Sequence, residues 1–122
     1  MKLVTIDVLP NSHVGVLVGE EIVLDLAALS VVLPVATLVP NSMRELLESG
    51  VTGLETVAHC LAQVDSMTND EKLILMGAGI LSPLGDVQLL APIPNPKLIL
   101  SVGLNYWKHL EEMAGTPIPK NP

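Results

Sequence analysis

Phenylalanine is absent from this chain, and tryptophan and tyrosine occur once each, so any core has to be assembled from Leu, Val, Ile, Ala and Met. There is one cysteine, Cys60, which excludes an internal disulfide. Val57, Ala58, Leu61 and Val64 surround it at helical spacing, and this makes Cys60 a small buried hydrophobe. A reactive thiol is the sharper reading, but only His59 offers it a basic neighbour. Arginine is nearly missing too: Arg44 stands alone among 6 basic residues facing 13 acidic ones, for a net charge of −7. Nucleic acid and anionic membrane both require a basic face, so neither is expected as a partner. Long apolar runs are lacking as well. The most apolar stretch, Leu26 to Val39, is shorter than the ~20 residues a bilayer requires and contains Pro34. The first residues have neither the basic start nor the unbroken apolar centre of a signal peptide, and a cytoplasmic protein is expected.

What is present is aliphatic. The chain has 122 residues, 49% of them hydrophobic, and its mean hydropathy of +0.54 is high for a soluble domain. A chain of this length buries about two-thirds of its unfolded surface. Surplus apolar surface then points to a homo-oligomer or to a catalytic domain beyond these residues.

An α+β fold is predicted, a small antiparallel β-meander packed by two or three helices. Residues 2 to 8 alternate as a strand, Pro10-Asn11-Ser12 turns, His13 to Val18 form a second strand, and Gly19-Glu20-Glu21 turns into a third, Ile22 to Leu26. Residues 27 to 40 read as a short helix or an irregular packing piece around Pro34. Ser42-Met43-Arg44-Glu45 is a capping box opening a helix closed by Gly50. Thr52-Gly53-Leu54-Glu55 reads as a second box, for a helix to about Ser66. In that helix Leu54, Val57, Ala58, Leu61 and Val64 are expected to cover the sheet. Thr68 caps a third helix through Met76, ended by Gly77 and Gly79, and Asp86 to Leu90 reads as a strand. Met43, Met67 and Met76 are taken as core filler.

Pro92-Ile93-Pro94-Asn95-Pro96 excludes helix and divides the chain into a domain over 1–91, a linker over 92–96 and a further unit over 97–122. Lys97 to Val102 is predicted as a buried strand, and Gly103 lets the backbone turn into a helix. On that helix His109 and Glu112 are three apart and share a face, so the carboxylate can hold one imidazole nitrogen and leave the other to take a proton. Many solvated helix faces share this spacing. His13, at a turn-to-strand junction, reads as a surface residue, and His59 lacks the further ligands a Cys/His metal site would need. Gly15 and Gly19 are followed by no Lys-Ser/Thr pair, so they form no phosphate loop.

The stretch from Leu89 to Val102 and the string Gly103-Leu104-Asn105-Tyr106-Trp107-Lys108-His109-Leu110-Glu111-Glu112-Met113 resemble the entry to the catalytic domain of the fumarylacetoacetate hydrolase family. Met1 to Thr5, His13 to Leu17, Val23 to Leu26 and Ser42 to Leu47 resemble the small N-terminal domain preceding it in many bacterial members. The resemblance implies that residues 97–122 are the start of the family's β-roll domain. It implies metal-assisted hydrolysis, decarboxylation or isomerisation of small 2-oxo or 1,3-dicarbonyl acids, including steps of aromatic catabolism, with Mg²⁺ or Mn²⁺ as Lewis acid. Carried over, His109 is the general base and Glu112 its orienting partner, with Glu111 a substitute one position away. Gly103, Asn105 and Tyr106 belong to the motif.

The family's metal is held by a Glu-x-Glu and a later Asp, downstream of the His-Glu helix. The nine residues from Ala114 to Pro122 contain no carboxylate side chain, so no metal is expected on this chain alone, and the chain reads as a truncated protein inactive by itself. Asn95-Pro96-Lys97 also departs from the family, where a glycine often precedes the lysine. Substrate-selecting residues are expected mostly downstream, so the choice of small carboxylic acid is not readable here. Two readings stand: an enzyme of this family, or a non-catalytic oligomerisation or interaction module of the same ancestry.

Overall fold

A computed structural model describes residues 1–33, 39–101 and 112. The expected meander is there: β1 Leu3–Val8, β2 Asn11–Val18 and β3 Ile22–Asp25 pair antiparallel, but the first turn is Leu9-Pro10, and Asn11 and Ser12, read as turn residues, pair with Val8 and Asp7 and open β2. Val18 opposite Ile22 closes the second hairpin, and from that register Val16 faces Leu24 and Gly15 faces Asp25. A fourth strand, β4 Leu81–Pro83, pairs with β3 in the order β1-β2-β3-β4. Among the described residues the architecture is α+β, an open antiparallel sheet with four helices in residues 1–101.

The third strand stops one residue earlier than expected. Leu26 leaves the ladder because Asp25, the last residue of β3, caps α1, Leu26–Val32, its carboxylate accepting a hydrogen bond from Ala28 N at 3.0 Å. That helix ends at Leu33, just before Pro34, whose ring disfavours helical backbone in the residue preceding it. Helix α2, Met43–Glu48, starts where Ser42 predicts, with Ser42 Oγ accepting from Glu45 N at 3.2 Å. The return bond from Glu45 lands one residue early, on Asn41 N.

Helix α3, Val51–Asp65, corrects the second capping box. Thr52 lies inside the helix, and the start is Gly50, whose φ of +61° lets the chain fold back from α2 without a side-chain cap. The buried stripe is also rotated from the one expected. Gly53, Thr56, Val57, Cys60 and Val64 face inward, whereas Ala58 is exposed and Leu54 is 38% exposed. The reason is steric: α3 lies so close to α2 that only a hydrogen fits at position 53, where a Cβ would collide with Ser49 Oγ and come within 2.9 Å of Leu46 O.

Helix α4, Asn69–Gly77, has the full capping box at Thr68 and Glu71. It ends in a Schellman motif. Ile80 N donates to Leu75 O at 2.9 Å and Gly79 N to Met76 O at 3.0 Å, with Gly79 at φ +71°. Leu75 and Ile80 are both buried, so the stop signal is part of the core. That core joins Val14, Val16 and Leu24 of the sheet to Leu26, Leu29, Met43, Leu46, Val57, Cys60 and Val64 of the helices. Of the three methionines read as core filler, Met43 is buried and Met67 packs against the core, but Met76 is 41% exposed.

Two strands differ from the sequence reading. Asp86 to Leu90 is not a full strand: after β4 the chain makes a 3₁₀ turn, Leu84–Asp86, and returns to the outer edge of β1 at a single bridge, Ile6 with Leu89. Residues 97–101 form no strand, and Leu98, Ile99 and Leu100 are 70, 77 and 83% exposed. A strand exists only where a neighbour accepts its hydrogen bonds, and none lies beside this segment among the described residues.

Two glycines on helices are predicted to respond in opposite directions to alanine. Gly53→Ala overpacks the α2–α3 contact and lowers stability by about 1–3 kcal/mol in urea denaturation. Gly77→Ala meets nothing within 4 Å and raises it by up to about 1 kcal/mol, because alanine is the better helix former.

Candidate functional site

Of the residues singled out from the sequence, Gly103, Asn105, Tyr106, His109 and Glu111 lie outside the described residues. Glu112 is helical and exposed. The described part of the site is therefore its approach, residues 87–101, and the sheet edge that holds it.

That approach is tied down. Asp7 N donates to Gln88 O and Leu90 N to Thr5 O, both at 2.9 Å, and Thr5 Oγ1 donates to Pro92 O at 2.7 Å. At the far end Lys97 Nζ reaches Glu48 Oε1 of α2 at 3.0 Å. This ammonium, by hydrogen bond and charge, holds the Glu48 carboxyl below its ordinary value of 4.5, with Arg44 a smaller contributor. Between the two ends Ile93, Pro94 and Asn95 wall a cavity of about 130 Å³ whose other sides include Ser12, Ser42 and Arg44.

A second polar arrangement was not anticipated. His13, read as a plain surface residue, has its Nδ1 2.8 Å from Asp25 Oδ2, with the two side chains 27% and 10% exposed. A carboxylate oxygen can only accept, so Nδ1 donates, which among the neutral tautomers selects the one with its lone pair on Nε2. His13 also borders a cavity of about 530 Å³ lined by Asn11, Ser12, Ala27, Asn41 and Ser42. The signal lay in the hairpin register: Val18 opposite Ile22 sets Gly15 opposite Asp25, which puts His13 diagonally beside it. Cys60 is fully buried, and desolvation raises its thiol above the ordinary value of 9.0, as the hydrophobic reading requires.

The divalent cation implied by the resemblance finds no ligand set among the described residues, where no three His, Cys, Asp or Glu side chains are placed to hold a metal ion. Asp7, Asp25 and Asp86 line one small cavity of about 150 Å³ without converging. Among the described residues, too, no helix is long and apolar enough to cross a membrane.

Comparison with known proteins gives the chain a class of relative, the oxaloacetate tautomerases. It is 33% identical over 126 aligned positions to oxaloacetate tautomerase YisK of Bacillus subtilis, a match covering 100% of this chain and 39% of that protein. It is 39% identical over 83 residues to the mitochondrial oxaloacetate tautomerase fahd2 of Xenopus laevis, covering 68% of this chain and 21% of the relative. The chain thus spans well under half the length of either protein. No protein-family model matches it.

Two measurements check this geometry. Asp25→Ala removes both the helix cap and the partner of His13, at a cost of about 2–4 kcal/mol in urea denaturation, while Asp25→Ser keeps a capping oxygen and costs about 1 kcal/mol less. Equal costs would mean that Asp25 does not cap α1. The pair of Glu48 and Lys97 has a definite sign with pH. A lowered carboxyl stabilises above the ordinary 4.5, and that contribution disappears as the pH falls through the lowered value. NMR titration of Glu48 in Lys97→Ala is expected to return its carboxyl toward 4.5.

Proposed function

We propose that the chain belongs to the fumarylacetoacetate hydrolase family and contributes a proton-transferring half-site to an enzyme acting on small 2-oxo acids, with oxaloacetate the first substrate to test. One coincidence carries the reading. The string from Gly103 to Met113 occurs in a chain that is similar over its full length to a protein named for oxaloacetate tautomerisation.

In this reading His109 moves the proton. Converting the enol to the keto acid takes a proton from the enol oxygen and delivers one to C3, and a base near neutrality on both sides of the transfer suits an imidazole. Glu112, three residues on, fixes the ring so that a single nitrogen faces the substrate. The cation that assists such chemistry in the family requires carboxylates that the described residues do not assemble, so no step here is routed through it.

A second reading rests on the apolar surface. Leu98 to Leu100, with Leu73 and Ile74 on α4, are more than 60% exposed, as in a module that associates with itself or with a partner.

The test compares residues 1–122 alone with the same residues fused to the part of the Bacillus relative outside the aligned stretch, following enol absorbance of oxaloacetate with Mn²⁺ present. The fusion is expected to accelerate ketonisation, and His109→Ala to slow it about 100-fold or more, the scale of a lost general base. An unchanged rate in His109→Ala would remove His109 from the chemistry. A fusion no faster than buffer, paired with concentration-dependent sedimentation of the chain alone, would favour the associating module.

A further inference from the structure

We infer that the proline segment is a seated strut and not a free linker, and that Thr5 is the residue that seats it. Its consequence, a fixed point of entry into the His109 segment, rests on the function proposed above. The strut itself does not.

The argument begins with what proline removes. Leu89 and Leu90 can still pair with the edge of β1, as the bridge from Ile6 to Leu89 and the bond from Leu90 N to Thr5 O show. Beyond them Pro92, Pro94 and Pro96 have no N–H, so the ladder cannot continue by backbone donors. The chain can still be held there through its carbonyls, and a side-chain donor has to replace the missing ladder. Thr5 is that donor: it sits mid-strand in β1, is 3% exposed, and gives its hydroxyl to Pro92 O at 2.7 Å.

The hydroxyl has little freedom to do otherwise. A buried hydroxyl without a partner costs more than a typical hydrogen bond gains, so the Thr5 side chain and the Pro92 carbonyl hold each other in place. Proline's fixed φ then carries that constraint along the segment, because fewer soft dihedrals separate Pro92 from Lys97. At Lys97 the ammonium contact with Glu48 fixes the other end on α2. An exposed ion pair is weak alone, so the strut, whose own residues are exposed, depends on the end held by the buried Thr5. The segment between the two ties also walls the cavity with Ser12, Ser42 and Arg44, so it lies along the molecule and does not project from it.

The test uses the 122-residue chain with ¹⁵N relaxation and amide exchange, comparing wild type, Thr5→Val, which keeps the shape and loses the donor, and Thr5→Ser, which restores the donor. In the wild type, order parameters at Ile93, Asn95 and Lys97 are expected near the roughly 0.85 of rigid backbone, falling below about 0.6 in Thr5→Val and recovering in Thr5→Ser. Exchange at the Leu90 amide is expected to rise about tenfold in Thr5→Val, while Val14 and Val16 in the central strand keep their protection. Wild-type values already below about 0.6 overturn the proposal outright, whatever the variants do. Values unchanged in Thr5→Val, or a Thr5→Ser variant as mobile as Thr5→Val, overturn the role of Thr5. None of these readouts involves turnover, so they stand or fall independently of the enzymatic assay.

Discussion

The carboxylate of Asp25 is where the parts of this molecule meet. The residue ends β3, accepts from Ala28 N to start α1, and takes the Nδ1 hydrogen of His13 from β2. Its own amide donates to Ile80 O at 2.9 Å, on the turn that closes α4 and begins β4. Asp25 is 7% exposed, and a charge so nearly buried is tolerable only when it is well bonded. Three hydrogen bonds at one residue therefore join two strands, a helix start and a helix stop. The placement of Leu26 and Leu29 in the core follows from the direction that this junction gives α1.

The rest of the packing follows from a core with no rings to order it. Leu, Val, Met and Cys fill the space between sheet and helices, so the fit depends on how closely the backbones approach. Gly53 is the clearest instance. By omitting a side chain it brings α3 onto α2, and that contact turns Val57, Cys60 and Val64 toward the sheet. Leu54 and Ala58 are left on the outer shoulder. Apolar periodicity alone could not separate these stripes, because Leu54 and Ala58 lie one position from the inward set and are apolar as well, while Leu61 packs against the core as expected.

The same dependence on neighbours explains the sheet. Thr68 with Glu71, Ser42 with Glu45, and the turn at Gly19-Glu20-Glu21 act over three or four residues, so the elements they bound were legible. The Asp86 to Leu90 stretch has the composition of a strand but makes one bridge, because the 3₁₀ turn brings only its last residues to β1 before Pro92 ends the supply of donors. Leu98 to Leu100 are strand-like in composition and form no ladder among the described residues. The His109–Glu112 pair was visible as a motif because its members stand three positions apart in the sequence. The pair of His13 and Asp25 was not, because its members come together only through hairpin register.

By itself the sequence determined what depends on short range: three strands and the turn at Gly19-Glu20-Glu21, the helix starts at Ser42 and Thr68, the absence of an internal disulfide, and the string from Gly103 to Met113 that carries the likeness to a family. Only the tertiary structure decided which face of α3 is buried, that Gly50 and not Thr52 begins it, that β4 lies at Leu81–Pro83, and that Asp25 holds His13. It also decided that the proline segment is tied to β1 through Thr5. Local signals are settled by a few dihedrals and one or two hydrogen bonds. The others depend on contacts between residues as far apart as Thr5 and Pro92, which no local pattern encodes.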